Sequence, residues 1–253
     1  MQKFKKNAGE EMTSIRHLAE KAKAAAPLLR SLDSEKISRI LKEMGTALLE
    51  NQKIVLRLNR QDLENSKAMR LSASMIDRLI LNEERIGHIT GLLIRLAADP
   101  EIEKRFQHLL QSDCNLPSQP SLGGLIFESC PYITILSPLF ALKARMSLIL
   151  RGGKEAFHSN TAIVSILCDI LEKNGLPRDI LALAPTTDRV AMAEMLQLSD
   201  LIDLIIPQGS EGLLKYVDNN SKIPVIESYK GFIDLCLDQE LSDQEAIQHL
   251  LPF

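Results

Sequence analysis

The chain has 253 residues, 45% hydrophobic and 25% charged, with 30 Lys and Arg against 33 Asp and Glu and a net charge of −3. That balance excludes a whole-chain basic field for nucleic acid. Aromatic residues, at 4%, are too few for a single-strand stacking platform, and no apolar run is long enough for a membrane span.

Charge is unevenly placed, residues 1–60 holding 13 Lys/Arg against 7 Asp/Glu, which reads as a solvated helix face. The basic start, Met1-Gln2-Lys3-Phe4-Lys5-Lys6, is not followed by an apolar core, so no secretory leader is expected. Cys114, Cys130, Cys168 and Cys236 lie far apart, with no C-x-x-C pair. Neither a zinc site nor a disulfide framework is expected, and the setting is read as cytoplasmic.

The first hundred residues predict helices. Thr13–Leu29 is rich in helix formers up to Pro27, and Asp33-Ser34-Glu35 caps a stretch with Ile37, Ile40, Leu41, Met44 and Leu48 at helical spacing. Further helices are expected over Ile54–Lys67, Ser72–Leu79 and Asn82–Ala98, the run closing at Asp99-Pro100. Residues 111–124 have linker composition, with two prolines and two glycines.

Beyond residue 122 short apolar runs alternate with helices. Strands are expected at Leu125–Phe127, Ser147–Leu150, Ile180–Ala184, Leu201–Ile206, Pro224–Ile226 and Ile233–Leu237. Helices are expected at Ser159–Lys173, closed by Asn174-Gly175-Leu176-Pro177, and at Asp188–Leu196 and Ser210–Val217. The pattern implies an α/β protein: a helical region over 1–110, a linker, a doubly wound, mainly parallel sheet over 122–238, and a tail over 239–253. In that tail Ser242-Asp243-Gln244-Glu245 reads as a capping box that closes the chain.

Three strand-end turns are candidate ligand sites. In Arg151-Gly152-Gly153-Lys154 two glycines allow close backbone approach and two cations supply charge; the alternative is a tight turn with solvated cations. Gly209-Ser210 opens a helix whose free N–H groups suit phosphate, or Ser210 is a plain cap. Thr187, in Pro185-Thr186-Thr187-Asp188-Arg189, is a cap or a ligand contact. Cys168 and Cys236 fall at core positions, which leaves Cys130, beside Pro131, as the thiol to test for reactivity. Of the histidines only His158 adjoins one of these turns, where it reads as a helix cap.

Leu150-Arg151-Gly152-Gly153-Lys154-Glu155-Ala156-Phe157-His158-Ser159-Asn160 resembles the "ILRGGKEAIHSN" signature of the γ-glutamyl phosphate reductases, in the aldehyde dehydrogenase superfamily. Pro185-Thr186-Thr187-Asp188-Arg189, Leu204–Gly209 and Ile223–Glu227 match later landmarks, and Asn59-x-x-Asp62 and Asp77–Ile86 match earlier ones. The resemblance implies NADPH-dependent reduction of γ-glutamyl phosphate to glutamate 5-semialdehyde in proline biosynthesis, with a Rossmann-like NADP-binding domain over 122–238. It places Arg151, Gly152, Gly153 and Lys154 near the adenosine end of NADP, and Gly209 and Ser210 near the pyrophosphate.

The family's "ESRPNVT" stands here as Glu128-Ser129-Cys130-Pro131-Tyr132-Ile133-Thr134, with Tyr132 where an oxyanion-binding Asn is expected. The family's cysteine-bearing catalytic domain has no counterpart in the sequence. Cys130 and Glu227 remain as catalytic candidates, NADP binding is expected to be weak, and turnover by this chain alone is not expected; the alternative is a non-catalytic nucleotide-binding or regulatory module. Tyr229, Phe232, Leu235 and Leu237 imply an apolar contact face, and hence a homodimer or hetero-complex.

Overall fold

The structure is a computed structural model that describes residues 14–112, 116–117 and 119–226. The expected strand at Ile233–Leu237, the tail with its contact face, Glu227, Cys114 and Cys236 lie outside the described residues.

Helix α1 (Ile15–Ala25) begins at Ser14, whose hydroxyl accepts the His17 N–H. Pro27 then serves as the first residue of a short helix α2 (Pro27–Arg30). Helix α3 (Ser34–Glu50) is capped by Asp33, α5 (Ala73–Leu79) by Ser72 and α6 (Glu83–Ala98) by Asn82, each side chain accepting a first-turn N–H. Helix α4 (Gln52–Ser66) lies between α3 and α5.

Asp99-Pro100 does not end the helical run. The Asp99 carboxylate accepts the Glu101 N–H at 2.8 Å and Pro100 opens α7 (Pro100–Ser112), because proline at a first helical position loses no hydrogen bond.

The sheet is parallel, in the order β3-β2-β1-β4. Its strands are β1 (Leu122–Phe127), β2 (Ser147–Arg151), β3 (Leu181–Leu183) and β4 (Leu204–Gln208). Residues 111–124 are therefore not all linker: α7 runs to 112 and β1 begins at 122. Gly123 and Gly124 belong to β1 because a Cβ on Gly123 would lie 2.8 Å from Met146 Cε, and one on Gly124 would meet Met195 and Ile205. Of the expected strand at Pro224–Ile226 one bridge is formed, Val225 to Ile205.

Side chains alternate cleanly across the sheet. Leu125, Phe127, Leu148, Leu150, Leu204 and Ile206 join one core; Leu122, Ile126, Ile149 and Ile205 join the other. The first core is covered by α3, α6, α8 (Pro131–Lys143) and α9 (Phe157–Lys173). Helix α1 covers the second, with α10 (Arg189–Met195) and α11 (Glu211–Asn220). Helix α8, absent from the sequence reading, is buried along its whole length, so it carries no polar stripe and no helical period. No described helix is long and apolar enough to cross a membrane.

The helical layer is locked to the sheet layer by two buried polar residues of α4. Asp62 accepts the His158 N–H at 3.1 Å and both the N–H and hydroxyl of Ser159, at 2.7 and 2.6 Å. It thus caps the start of α9 from another helix. Asn59 donates to Leu79 O and Ser159 Oγ and accepts the Leu81 N–H.

Asp62→Ala should destabilise the protein by about 2–3 kcal/mol in urea unfolding, since it removes a cap and strands buried donors. Burial is the largest influence on the Asp62 carboxyl and holds it above its ordinary 3.8. The carboxyl's contribution to stability is therefore largest when it is protonated and declines as pH rises through its folded value. Urea titrations across pH should show the wild-type advantage over Asp62→Asn growing as pH falls toward 3.8.

Candidate site at the C-terminal edge of the sheet

All three turns singled out in the sequence lie at the C-terminal ends of strands of one parallel sheet, with β1 between β2 and β4. Arg151 to Lys154 follow β2, Thr187 follows β3 and Gly209-Ser210 follow β4. Helices after β1 and β2 cover one face, and the helix after β3 covers the other before the chain returns to pair β4 with β1. The crevice between β1 and β4 is thus the topological switch point, where open α/β sheets take ligands.

Much of this edge is held by the chain's own groups. Arg151 is 7% exposed and its Nη2 donates to Thr187 O at 2.6 Å, tying the β2 end to the β3 turn. Burial works against its charge, and Glu155 and Glu128 support it. The Arg151 Nε and Asn160 Nδ2 have no partner among the described residues. Glu155 accepts both the N–H and hydroxyl of Ser129, at 2.6 and 2.8 Å. Those bonds hold Ser129 at a φ of 45°, a left-handed conformation that costs a non-glycine residue about 1–2 kcal/mol.

Gly152 gives room to Asn160 and the Phe127 ring, and Gly153 to the Glu155 carboxylate. At the switch point Glu128 Oε2 accepts the Ser210 N–H at 2.9 Å, and a Cβ on Gly209 would stand 2.6 Å from that oxygen. Ser210 also caps α11, its hydroxyl accepting the Leu213 N–H. Thr187 does not cap α10: Asp188 occupies the cap position, and Thr187 offers its carbonyl to Arg151. Nor does His158 cap α9, which Asp62 does; its ring meets Phe157 edge-on. Lys154 is exposed and has no partner among the described residues.

Cys130, the catalytic candidate among the described residues, and the nearby Tyr132 are both buried. Cys130 is buried, not in an open loop, at the entry to α8, and burial pushes its thiol up to about 11. Tyr132 is wholly buried; its hydroxyl donates to Ile80 O at 2.6 Å and accepts from Arg85, which pairs with Asp77 at 2.7 Å. Cys168 lies in the core as expected, donating to Leu181 O.

Glu128, Glu155, Asn160 and the Asn59–Asp62 clamp were not singled out as site residues. Only the clamp left a signal. Val55, Asn59, Asp62 and Ser66 form one buried face of α4, so polar residues stand where helical period demands apolar ones.

No family model matches the chain. Among curated proteins it is 39% identical over 250 residues to the gamma-glutamyl phosphate reductase of Salinibacter ruber, covering 95% of this chain and 56% of that protein. It is 34% identical over 239 residues to that of Nautilia profundicola, covering 92% and 58%. The chain spans little more than half the length of the curated relatives it matches.

Among solved structures, the gamma-glutamyl phosphate reductase of Thermotoga maritima superposes with a TM-score of 0.72 at 26% identity, over 83% of this chain and 52% of that one. That of Saccharomyces cerevisiae gives 0.68 at 21%, over 84% and 55%. An acetylating aldehyde dehydrogenase from Geobacillus thermoglucosidasius shares the fold at 0.58 and 20%, over 83% and 44%. The chain, folded like the aldehyde dehydrogenases, is thus a homologue of just over half of a gamma-glutamyl phosphate reductase.

Proposed function

We propose that the chain is the nucleotide-binding part of a reductase of the γ-glutamyl phosphate type, taking NADP at the C-terminal edge of the sheet without turnover of its own. The observation that carries this reading is the convergence of Arg151–Lys154, Thr187 and Gly209-Ser210 on the switch-point edge. The residues fit a phosphate-rich ligand in three respects: an exposed, unpartnered Lys154, unmet donors on Arg151 and Asn160, and the N-terminus of α11. Lys154 and Arg151 would hold the 2′-phosphate end, and Gly209 and Ser210 the pyrophosphate. Bound NADPH would supply the hydride.

Binding is weak in this reading because Glu128 already accepts the Ser210 N–H. A pyrophosphate would exchange one anion for another there and add repulsion against a carboxylate. Fluorescence titration should show saturable NADPH binding at a Kd of roughly micromolar to millimolar. Lys154→Ala should weaken NADPH about three- to tenfold while leaving NADH nearly unchanged. Absence of saturation at millimolar cofactor would sink the proposal.

The lack of turnover rests on the described thiols. An acyl-transfer nucleophile must be an accessible thiolate near an oxyanion donor, and Cys130 and Cys168 are both buried with raised pKa values. The purified chain should not oxidise glutamate 5-semialdehyde with NADP above the uncatalysed background, and iodoacetamide at about pH 8, close to the free-thiol pKa of about 8.5, should label Cys130 only after unfolding. A steady-state rate abolished by Cys130→Ser would overturn this. The alternative, a non-catalytic binding or regulatory module, is favoured by Tyr132, whose hydroxyl is committed to Ile80 and Arg85.

A further inference from the structure

The opposite, N-terminal edge of the sheet holds a charge that the chain does not neutralise. Lys143 ends α8 with 1% of its surface exposed. Its ammonium makes one hydrogen bond, to Ser38 Oγ at 3.1 Å, and forms no ion pair among the described residues. Glu103, the carboxylate that most supports its charge, is bound to Arg145 at 2.6 Å. Asp99 also favours the charge, whereas Lys42 and Arg145 oppose it, and desolvation outweighs them all in lowering the Lys143 pKa.

A buried cation without a counter-ion is costly and must lose its proton or gain an anion. The surroundings favour gaining an anion. Lys143 lines a 490 Å³ cavity together with Ser34, Ser38, Lys42, Glu35 and Glu103. With Glu103 engaged by Arg145 and Lys104 by Glu101, the lining leaves two further lysines, Lys42 and Lys143, and two hydroxyls against Glu35. Two N–H hydrogens of Lys143 remain to be accepted, a demand met by an anion with several acceptor oxygens.

We propose that this cavity is a binding site for a small oxyanion, a phosphoryl or carboxylate group, seated on Lys143 with Ser34, Ser38 and Lys42 around it. The site lies at the far end of the sheet from the candidate nucleotide crevice and does not depend on that reading.

Calorimetric titration of the full chain with inorganic phosphate, at ionic strength held constant with chloride, tests it. Saturable binding is expected. It should weaken at least about tenfold in Lys143→Met and about threefold in Lys42→Ala, while Lys67→Ala, which removes an exposed lysine paired with Glu64, leaves it unchanged. Should Lys143→Met fail to fold, Ser38→Ala serves instead, with about threefold weaker binding expected. Acetate that displaces phosphate assigns the site to carboxylate ligands as well; acetate that does not restricts it to phosphoryl groups. Failure to saturate with phosphate, or wild-type affinity in Lys143→Met or Ser38→Ala, overturns the proposal.

Discussion

One carboxylate joins the two layers on which everything else is built. Asp62 belongs to the helical layer, yet it accepts hydrogen bonds from the first turn of α9, the helix that follows Arg151–Lys154. Without it the two buried donors of Ser159 and the half-buried His158 N–H would face a helix side instead of an acceptor, and each would carry a desolvation penalty. The β2–α9 turn is therefore positioned from below by the N-terminal helices, and Asn59 extends the same clamp to the segment around Ile80, where Tyr132 also docks.

That arrangement makes the C-terminal edge a place where structural and ligand-binding demands meet. Arg151, Gly152, Gly153 and Gly209 all have occupants within the chain: two backbone carbonyls, Asn160 with Phe127, and the carboxylates of Glu155 and Glu128. Their presence in the sequence is accounted for before any nucleotide is added. What packing leaves unexplained is small: two unmet donors and one free lysine. A ligand at this edge would meet a pre-shaped crevice whose strongest anion position is already filled by Glu128.

The sequence was most readable where hydrophobic period and caps agree. Asp33, Ser72 and Asn82 open their helices at the expected positions, Ser14 opens α1 one residue after the expected start, and Gly175 ends α9 at a φ of 75°. The doubly wound parallel sheet followed from continuous apolar runs alternating with helices. It was least readable where burial erases the pattern. Helix α8 shows no period because every face is packed, and Gly123-Gly124 read as loop residues although methionine side chains fill the space of their missing Cβ atoms. Turn residues pointed to the C-terminal edge of the sheet, but the carboxylates that organise that edge come from Glu128 and Glu155, whose types carry no positional signal. Tyr132 illustrates the reverse case: its departure from the family pattern was plain in the sequence, but its docking on the helical layer was not.

The position of α1 has a consequence for how the chain is made. This helix covers the sheet face that also carries α10 and α11, and Arg16 reaches Asp200 across a separation of 184 residues. During synthesis α1 emerges before the sheet and has no surface to pack on until most of the sheet has left the ribosome. Its waiting face consists of Ile15, Ala19, Ala22 and Ala25, so it exposes little apolar area and offers weak grounds for association with other nascent chains. Ala-rich composition at this helix suits a segment that must remain unattached until the strands it packs on, β1 to β3, are in place, and its docking requires the closure of a very long loop.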